Sequence, residues 1–162
     1  MPRVRPITLS DNVLNADAII NQEFRFTSIL PSINTNELAI EFLASLGLLR
    51  NEAICPVCNN NCTMNAYAQG TDGYRWRCNR HNFTKSLRCD SFFEKSHLSL
   101  AQITTIMYMW SRDCPQSEIQ WEANVNKNTV VDWCTILYII SCLLYTSPSP
   151  RDLSTSRMPS SA

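Results

Sequence analysis

The sequence predicts an α+β chain: three short antiparallel strands clamped between two cysteine-bearing turns, with a helix before them and a helical segment after. Three observations carry this. Two C-x2-C/H pairs, Cys55/Cys58 and Cys78/His81, bracket a stretch rich in strand and turn residues. Upstream, Leu38, Phe42, Leu46 and Leu49 recur at helical spacing. Downstream, two Ser-x-x-Gln capping boxes open apolar runs of the same period. A hydrophobic share of 44%, a charged share of 17% and only three glycines suit a packed chain rather than a solvated one.

Residues 1–33 show little periodicity and many Asn, Asp and Pro residues, so an irregular arm is expected there. Asn34 or Thr35 then caps a helix over residues 34–50, with Glu37 and Glu41 near its start and Gly47 weakening its last turn. Residues 51–98 follow as the small sheet. Met64–Gln69 and Tyr74–Cys78 read as strands around the turn Gly70-Thr71-Asp72-Gly73, and Lys85–Arg88 as a third.

Over 99–141 the outline is helix-turn-helix. Ser99-x-x-Gln102 opens a helix whose inner face is Ile103, Ile106, Met107 and Trp110, and Cys114-Pro115 stops it. Ser117-x-x-Gln120 opens a short helix to about Ala123. A turn at Val125–Asn128 leads to a last helix from Thr129, with Val130, Trp133, Cys134 and Leu137 inward.

The chemistry concentrates between Cys55 and Arg88. A tetrahedral zinc ion requires thiolates and neutral imidazole, and each x2 spacing lets one tight turn present two ligands. Cys55, Cys58, Cys78 and His81 therefore form a candidate structural Zn2+ site, which makes the strands a zinc ribbon. Cys62 and Cys89 compete with His81 for the fourth position, free or disulfide cysteines are the bland alternative, and His97 reads as a capped or solvent-facing histidine.

Arg75, Arg77, Arg80, Lys85 and Arg88 follow one another without an intervening acid and are interleaved with Tyr74, Trp76 and Phe83. Such a stripe attracts phosphate through counterion release, even on a neutral chain. The alternative is that alternate arginines simply cover the solvated face of a small sheet. Asn126, Lys127, Asn128 and Thr129 sit where a recognition helix would begin; amides can read adenine edges and Lys can reach phosphate or guanine. They are equally good turn and cap residues.

Other function classes fit less well. Asp72, Asp90, Asp113 and Asp132 are scattered beside turns and helix ends, and neither a Ser/His/Asp grouping nor a phosphate-cradling glycine loop is present. A cysteine nucleophile with His81 or His97 explains the spacing less economically than a metal. Eight cysteines would suit a secreted disulfide scaffold, but the N-terminal residues carry no apolar signal core, and no stretch is apolar enough to span a membrane. An intracellular, reducing compartment is expected.

The last segment, 142–162, reads as a Ser/Pro-rich, disordered terminus. It also back-translates in one frame, over Cys142–Asp152 and Ser156–Ala162, to strings that resemble a sequencing-library adapter, with Leu153–Thr155 in place of a sample index. The expectation is an artefact joined to a natural chain truncated near Ser141. Its removal takes away two arginines and one aspartate and leaves the charge near neutral.

Several motifs together resemble a known family. They are Cys55-Pro56-x-Cys58, Gly73-Tyr74-x-Trp76-Arg77-Cys78, Ser86-Leu87-Arg88, Ser91-Phe92-Phe93-Glu94-x-Ser96-x-Leu98-Ser99-Leu100 leading to Tyr108-x-Trp110, and Asn128-Thr129-Val130-x-x-Trp133. Residues 50 to 140 thereby resemble the N-terminal region of Merlin-type DNA transposases, eukaryotic relatives of a bacterial insertion-sequence family. That family commonly has a cysteine where this chain has His81.

The resemblance implies a nuclear, DNA-binding fragment that recognises transposon terminal inverted repeats, with double-stranded DNA as partner; a homo-oligomer is compatible with it. It also implies an RNase-H-like catalytic domain beyond this region, where three carboxylates bind two Mg2+ ions. The fragment itself is then not an enzyme. A zinc-stabilised protein-interaction module, a domesticated remnant presenting Trp121, Val125 and Trp133, is the second expectation.

Overall fold

The computed structural model describes residues 13–146. They form six helices and one small sheet: α1 (Ala16–Ile20), α2 (Phe26–Ser32), α3 (Asn36–Ser45), β1 (Thr63–Ala66), β2 (Tyr74–Arg77), β3 (Thr84–Ser86), α4 (Leu100–Ser111), α5 (Gln116–Ala123) and α6 (Lys127–Thr146). The mixed α+β class is as expected. Two compact units divide the chain inside α4, after Thr104.

In the first unit, residues 13–33 are not the expected irregular arm. Asn15 accepts a hydrogen bond from the Ala18 N–H at 2.7 Å and so starts α1, the N-cap use of an asparagine whose presence suggested a loop. α2 begins where Ser28 Oγ accepts from the Arg25 N–H and donates to the Arg25 carbonyl. It anchors through Ile29, and Phe24 meets Phe42 edge-to-face. Residues 1–12 of the arm lie outside the described residues.

α3 is capped by Thr35 Oγ1, which accepts from the Leu38 N–H. Its inner face is Ala39, Ile40, Leu43 and Ala44, one position round from the expected Leu38, Phe42 and Leu46 stripe; Leu38 is exposed. The two alanines are fully buried, which a pattern built on large residues overlooks. The helix ends at Ser45 rather than residue 50. Gly47 has φ +72°, and hydrogen bonds from Leu48 N–H to Leu43 O and Gly47 N–H to Ala44 O close the helix end. Gly47 is thus a stop signal.

The sheet is antiparallel throughout, ordered β1-β2-β3. Met64 lies opposite Trp76 and Asn65 opposite Arg75; on the other edge Arg75 lies opposite Ser86, Trp76 opposite Lys85 and Arg77 opposite Thr84. Period-2 alternation follows, because successive side chains of a strand leave on opposite faces. Met64, Tyr74 and Trp76 are buried, whereas Arg77, Thr84 and Ser86 are exposed. Tyr74 Oη donates to Glu37 Oε1 at 3.0 Å and ties the sheet to α3.

Arg88 lies inside this unit, only 3% exposed, with a bidentate ion pair to Asp72, itself 6% exposed. Its Nε donates to Asp72 Oδ2 at 2.7 Å and a terminal nitrogen donates to the Ser96 carbonyl at 3.0 Å. Every side of the guanidinium that faces protein is therefore satisfied, as burial demands.

α4 has the expected capping box: the Ser99 N–H donates to Gln102 Oε1 and the Gln102 N–H to Ser99 Oγ. Leu100, Ile103, Ile106 and Met109 are buried, while Met107 and Trp110 are only half-buried. The expected second box is not formed. α5 starts at Gln116 after Pro115, so Ser117 already lies within the helix and cannot cap it.

In the second unit, Ile119 and Ala123 of α5 and Val130, Trp133, Cys134 and Leu137 of α6 are buried, the α6 face expected. Asn124 turns the chain in the left-handed region at φ +50°. α6 continues past Ser141 to Thr146, so Cys142–Thr146 is helical where disorder was expected; the rest of that segment lies outside the described residues. No helix among the described residues is long and apolar enough to cross a membrane.

Replacing Asp72 with Ala leaves the Arg88 charge buried and unpaired, a change that typically costs about 3–5 kcal/mol. Urea denaturation of metal-loaded protein should show that loss, and a change below about 1 kcal/mol, the scale of a surface pair, would contradict the internal role of the pair.

Candidate metal centre

Two tight turns bring four donors together. The first is the tip of a miniature hairpin: Cys62 N–H donates to Ala53 O at 2.7 Å, Cys55 N–H to Asn60 O at 3.0 Å and Asn59 N–H to Cys55 O at 2.9 Å. Asn59 takes φ +53°, a region asparagine tolerates better than most residues, and this lets Cys55 and Cys58 point the same way. The second turn leaves β2 directly. Cys78 N–H donates to Phe83 O at 3.0 Å and closes a loop that presents Cys78 and His81.

The donor atoms of Cys55, Cys58, Cys78 and His81 all lie within 4.8 Å of one another. Cys58 Sγ and Cys78 Sγ are 3.7 Å apart; His81 Nδ1 is 3.9 Å from Cys55 Sγ and 3.8 Å from Cys78 Sγ. These separations match the edges of a metal tetrahedron: metal–sulfur bonds of about 2.3 Å at tetrahedral angles give sulfur–sulfur edges of about 3.8 Å. They are far too long for a disulfide, whose sulfurs sit about 2.05 Å apart. Cys55 and Cys78 are buried and Cys58 and His81 half-buried, so the cluster is shielded from solvent. The four residues can hold one metal ion.

The electrostatics of the turn favour thiolate at Cys78. The Arg80 backbone N–H lowers its pKa most, burial opposes, and the His81 N–H and ring add to the lowering, which brings it from 9.0 to about 6. Backbone N–H groups aimed at sulfur are what a metal-bound thiolate needs, since the ligand is the anion.

Of the rivals for the fourth position, Cys62 is buried beside the cluster, and its thiol is pushed up by burial and by the neighbouring Cys78 and Cys55 charges. It stands outside the donor set. Cys89 belongs instead to a second group with Asp90 and Glu94. There Asp90 already pairs with Lys85 at 2.6 Å and Arg50 at 3.4 Å, so its charge is balanced. His97 is exposed, as expected.

The five cations of the expected stripe do not share one surface. Arg75 and Arg77 lie on the open face of β2, and Arg80 is exposed on the second metal-bearing turn. Arg75 is half-buried with its guanidinium 4.1 Å from the Tyr67 ring centroid. Lys85 lies opposite Trp76, hence on the other face, and pairs with Asp90. Arg88, expected at the surface, is internal on Asp72. A stripe read from sequence ignores this alternation.

At the start of α6, Asn126 Oδ1 accepts from Thr129 N–H at 2.8 Å and Thr129 Oγ1 at 3.0 Å. Those two residues cap the helix; Lys127 and Asn128 are exposed in its first turn. Sequence reasoning missed the partners: Asp72 for Arg88 and Tyr67 for Arg75. Neither pair has a spacing signal, and only the folded hairpin joins them. No protein-family model, curated protein or solved structure matches the chain.

Cys55→Ser and Cys78→Ser should each abolish stoichiometric metal in purified protein, measured by elemental analysis, whereas Cys62→Ser should retain it. Loss of metal from Cys62→Ser alone, with Cys55→Ser still loaded, would overturn the assigned donor set.

Proposed function

We propose that the chain is the DNA-binding N-terminal part of a Merlin-like transposase, a zinc ribbon followed by a helix-turn-helix that engages the terminal inverted repeats. The metal is Zn2+ in a structural role, since three thiolates and one imidazole leave no position open for substrate. Mg2+ belongs to the catalytic domain that the family carries downstream. The protein acts in the nucleus, a homo-oligomer is compatible with the reading, and the fragment binds rather than catalyses.

The observation that carries this reading is the coupling of a four-donor cluster, built from two turns, to an open sheet face. Arg77 and Arg80 are exposed on either side of Cys78, and neither has an acidic partner among the described residues. Unpaired arginines on a stiff support meet phosphates without first breaking an ion pair. In the second unit α5, a short turn and α6 supply the helix-turn-helix outline, with Lys127 and Asn128 presented at the head of α6. The capping duty of Asn126 and Thr129 favours positioning over base reading for those two.

A second reading has its own support. Trp121 is 82% exposed on α5, a large apolar residue in open solvent, which suits a protein-interaction module. Val125 is half-buried and Trp133 buried, so the expected three-residue stripe reduces to Trp121.

The two readings separate by salt. Anisotropy titrations with a mixed-sequence duplex should give an affinity that falls steeply with added salt. The double variant Arg77→Ala/Arg80→Ala should bind more weakly and lose about two from the log–log salt slope. An unchanged affinity and slope would reject the assigned surface, and absence of duplex binding would favour the interaction module.

A further inference from the structure

Beside the sheet, within the first unit, lies a cleft of about 670 Å3 bounded by the β1–β2 turn, β3 and the 94–97 loop. We propose that it is a phosphate-binding subsite, which receives a backbone phosphate of the DNA held on the open sheet face. It rests on the nucleic-acid reading for the source of the phosphate, though not for the chemistry.

The cleft is pre-formed. Among its lining residues, Asp72 and Arg88 are locked in their buried pair, and Arg88 also donates to the Ser96 carbonyl, which ties the 94–97 loop to the β1–β2 turn. This pair is internally neutral and fully engaged, so it shapes the cleft without attracting an ion.

The donors that remain have no acceptor. Arg75 lines the cleft; its Nε is buried with no hydrogen-bond partner, and among the described residues no carboxylate pairs with its guanidinium. The Tyr67 ring holds it in place. The Arg75 Nε has no exposed surface, so the terminal nitrogens of this fixed, unpaired guanidinium are the donors that phosphate oxygens would meet. Lys95, exposed in the 94–97 loop that lines the cleft, also lacks an acidic partner among the described residues.

Hydroxyl groups add neutral donors. Ser86 Oγ accepts from Arg88 N–H and Ser96 Oγ from Leu98 N–H; both residues line the cleft, and each hydroxyl keeps a proton it can donate. Thr84, on β3 opposite Arg77, adds a third. Against these stands Glu94, whose Oε1 accepts from Cys89 Sγ at 3.6 Å. Lys85 is neutralised by Asp90. Two unpaired cations against one acid leave the cleft positive, and its volume lies within the range of about 300–1,000 Å3 usual for small-molecule sites.

The test uses the full zinc-loaded chain, amide NMR with inorganic phosphate as probe, and anisotropy with a mixed-sequence duplex. Phosphate should shift the Thr84, Ser86 and Lys95 amides saturably. Lys95→Gln should weaken that binding, Arg75→Gln should abolish it, and Arg77→Gln should leave it intact. Lys95→Gln should also reduce the duplex salt slope by about one.

Saturable phosphate binding in a protein that binds no duplex would support the subsite, assign it to a free phosphate or nucleotide, and reject the DNA reading alone. Duplex binding without any phosphate-induced shift at those amides, and with a salt slope unchanged in Lys95→Gln, would overturn the subsite while the DNA reading stands. Lys95 is a surface side chain, so its variant keeps the test interpretable even where Arg75→Gln disturbs the sheet.

Discussion

The gathering of the Cys55, Cys58, Cys78 and His81 donor atoms within 4.8 Å of one another is the constraint on which the first unit turns. The strands beside it are only four, four and three residues long. Isolated ribbons of that size are marginal in water, and small loop-rich segments commonly require a metal to fold. The two turns are distant in sequence but share their donors. An ion bound there fixes the start of the hairpin to the end of β2 and removes the main freedom the sheet would otherwise have. Because β2 runs without a break into Cys78, the orientation of Arg75 and Arg77 follows from the position of the Cys78 turn.

Charge is distributed across this scaffold by depth. Arg88 and Asp72 pair at the bottom, where a lone charge would be costly, and their bond holds two loops in register. Lys85 pairs with Asp90 at the side. The arginines on the open face have no such partner, so the near-zero net charge of the chain conceals a local excess. Attraction to polyanions depends on that local excess rather than on the total. The same division leaves the cleft by Tyr67 with an excess of unpaired cations: its Asp72–Arg88 pair is spent internally, whereas Arg75 and Lys95 have no carboxylate partner among the described residues.

Much of this was legible in the sequence. Paired x2 spacing picked out the four residues that the structure brings together, His81 included, because an arrangement able to hold a metal leaves its geometry in residue intervals. The Ser99/Gln102 capping box and the inner face of α6 were legible for a similar reason, being local patterns of one helix. What escaped was non-local or depended on small residues. The inner face of α3 uses Ala39 and Ala44, which carry little hydrophobic signal. The fate of Arg88 depends on Asp72, sixteen residues away across a hairpin. Asn15 and Gly47 were read as disruptions although they are the cap and the stop of neighbouring helices. The stripe of cations failed as a single surface because strand alternation, invisible in a count of charges, sends Lys85 to the other side.

X-ray absorption at the zinc edge of the purified chain addresses the central claim most directly. The expected first shell contains three sulfurs at about 2.3 Å and one imidazole nitrogen at about 2.0 Å. A shell of four sulfurs would replace His81 with Cys62 or Cys89 and alter the second turn. No bound zinc in protein that is nonetheless folded would contradict the account altogether.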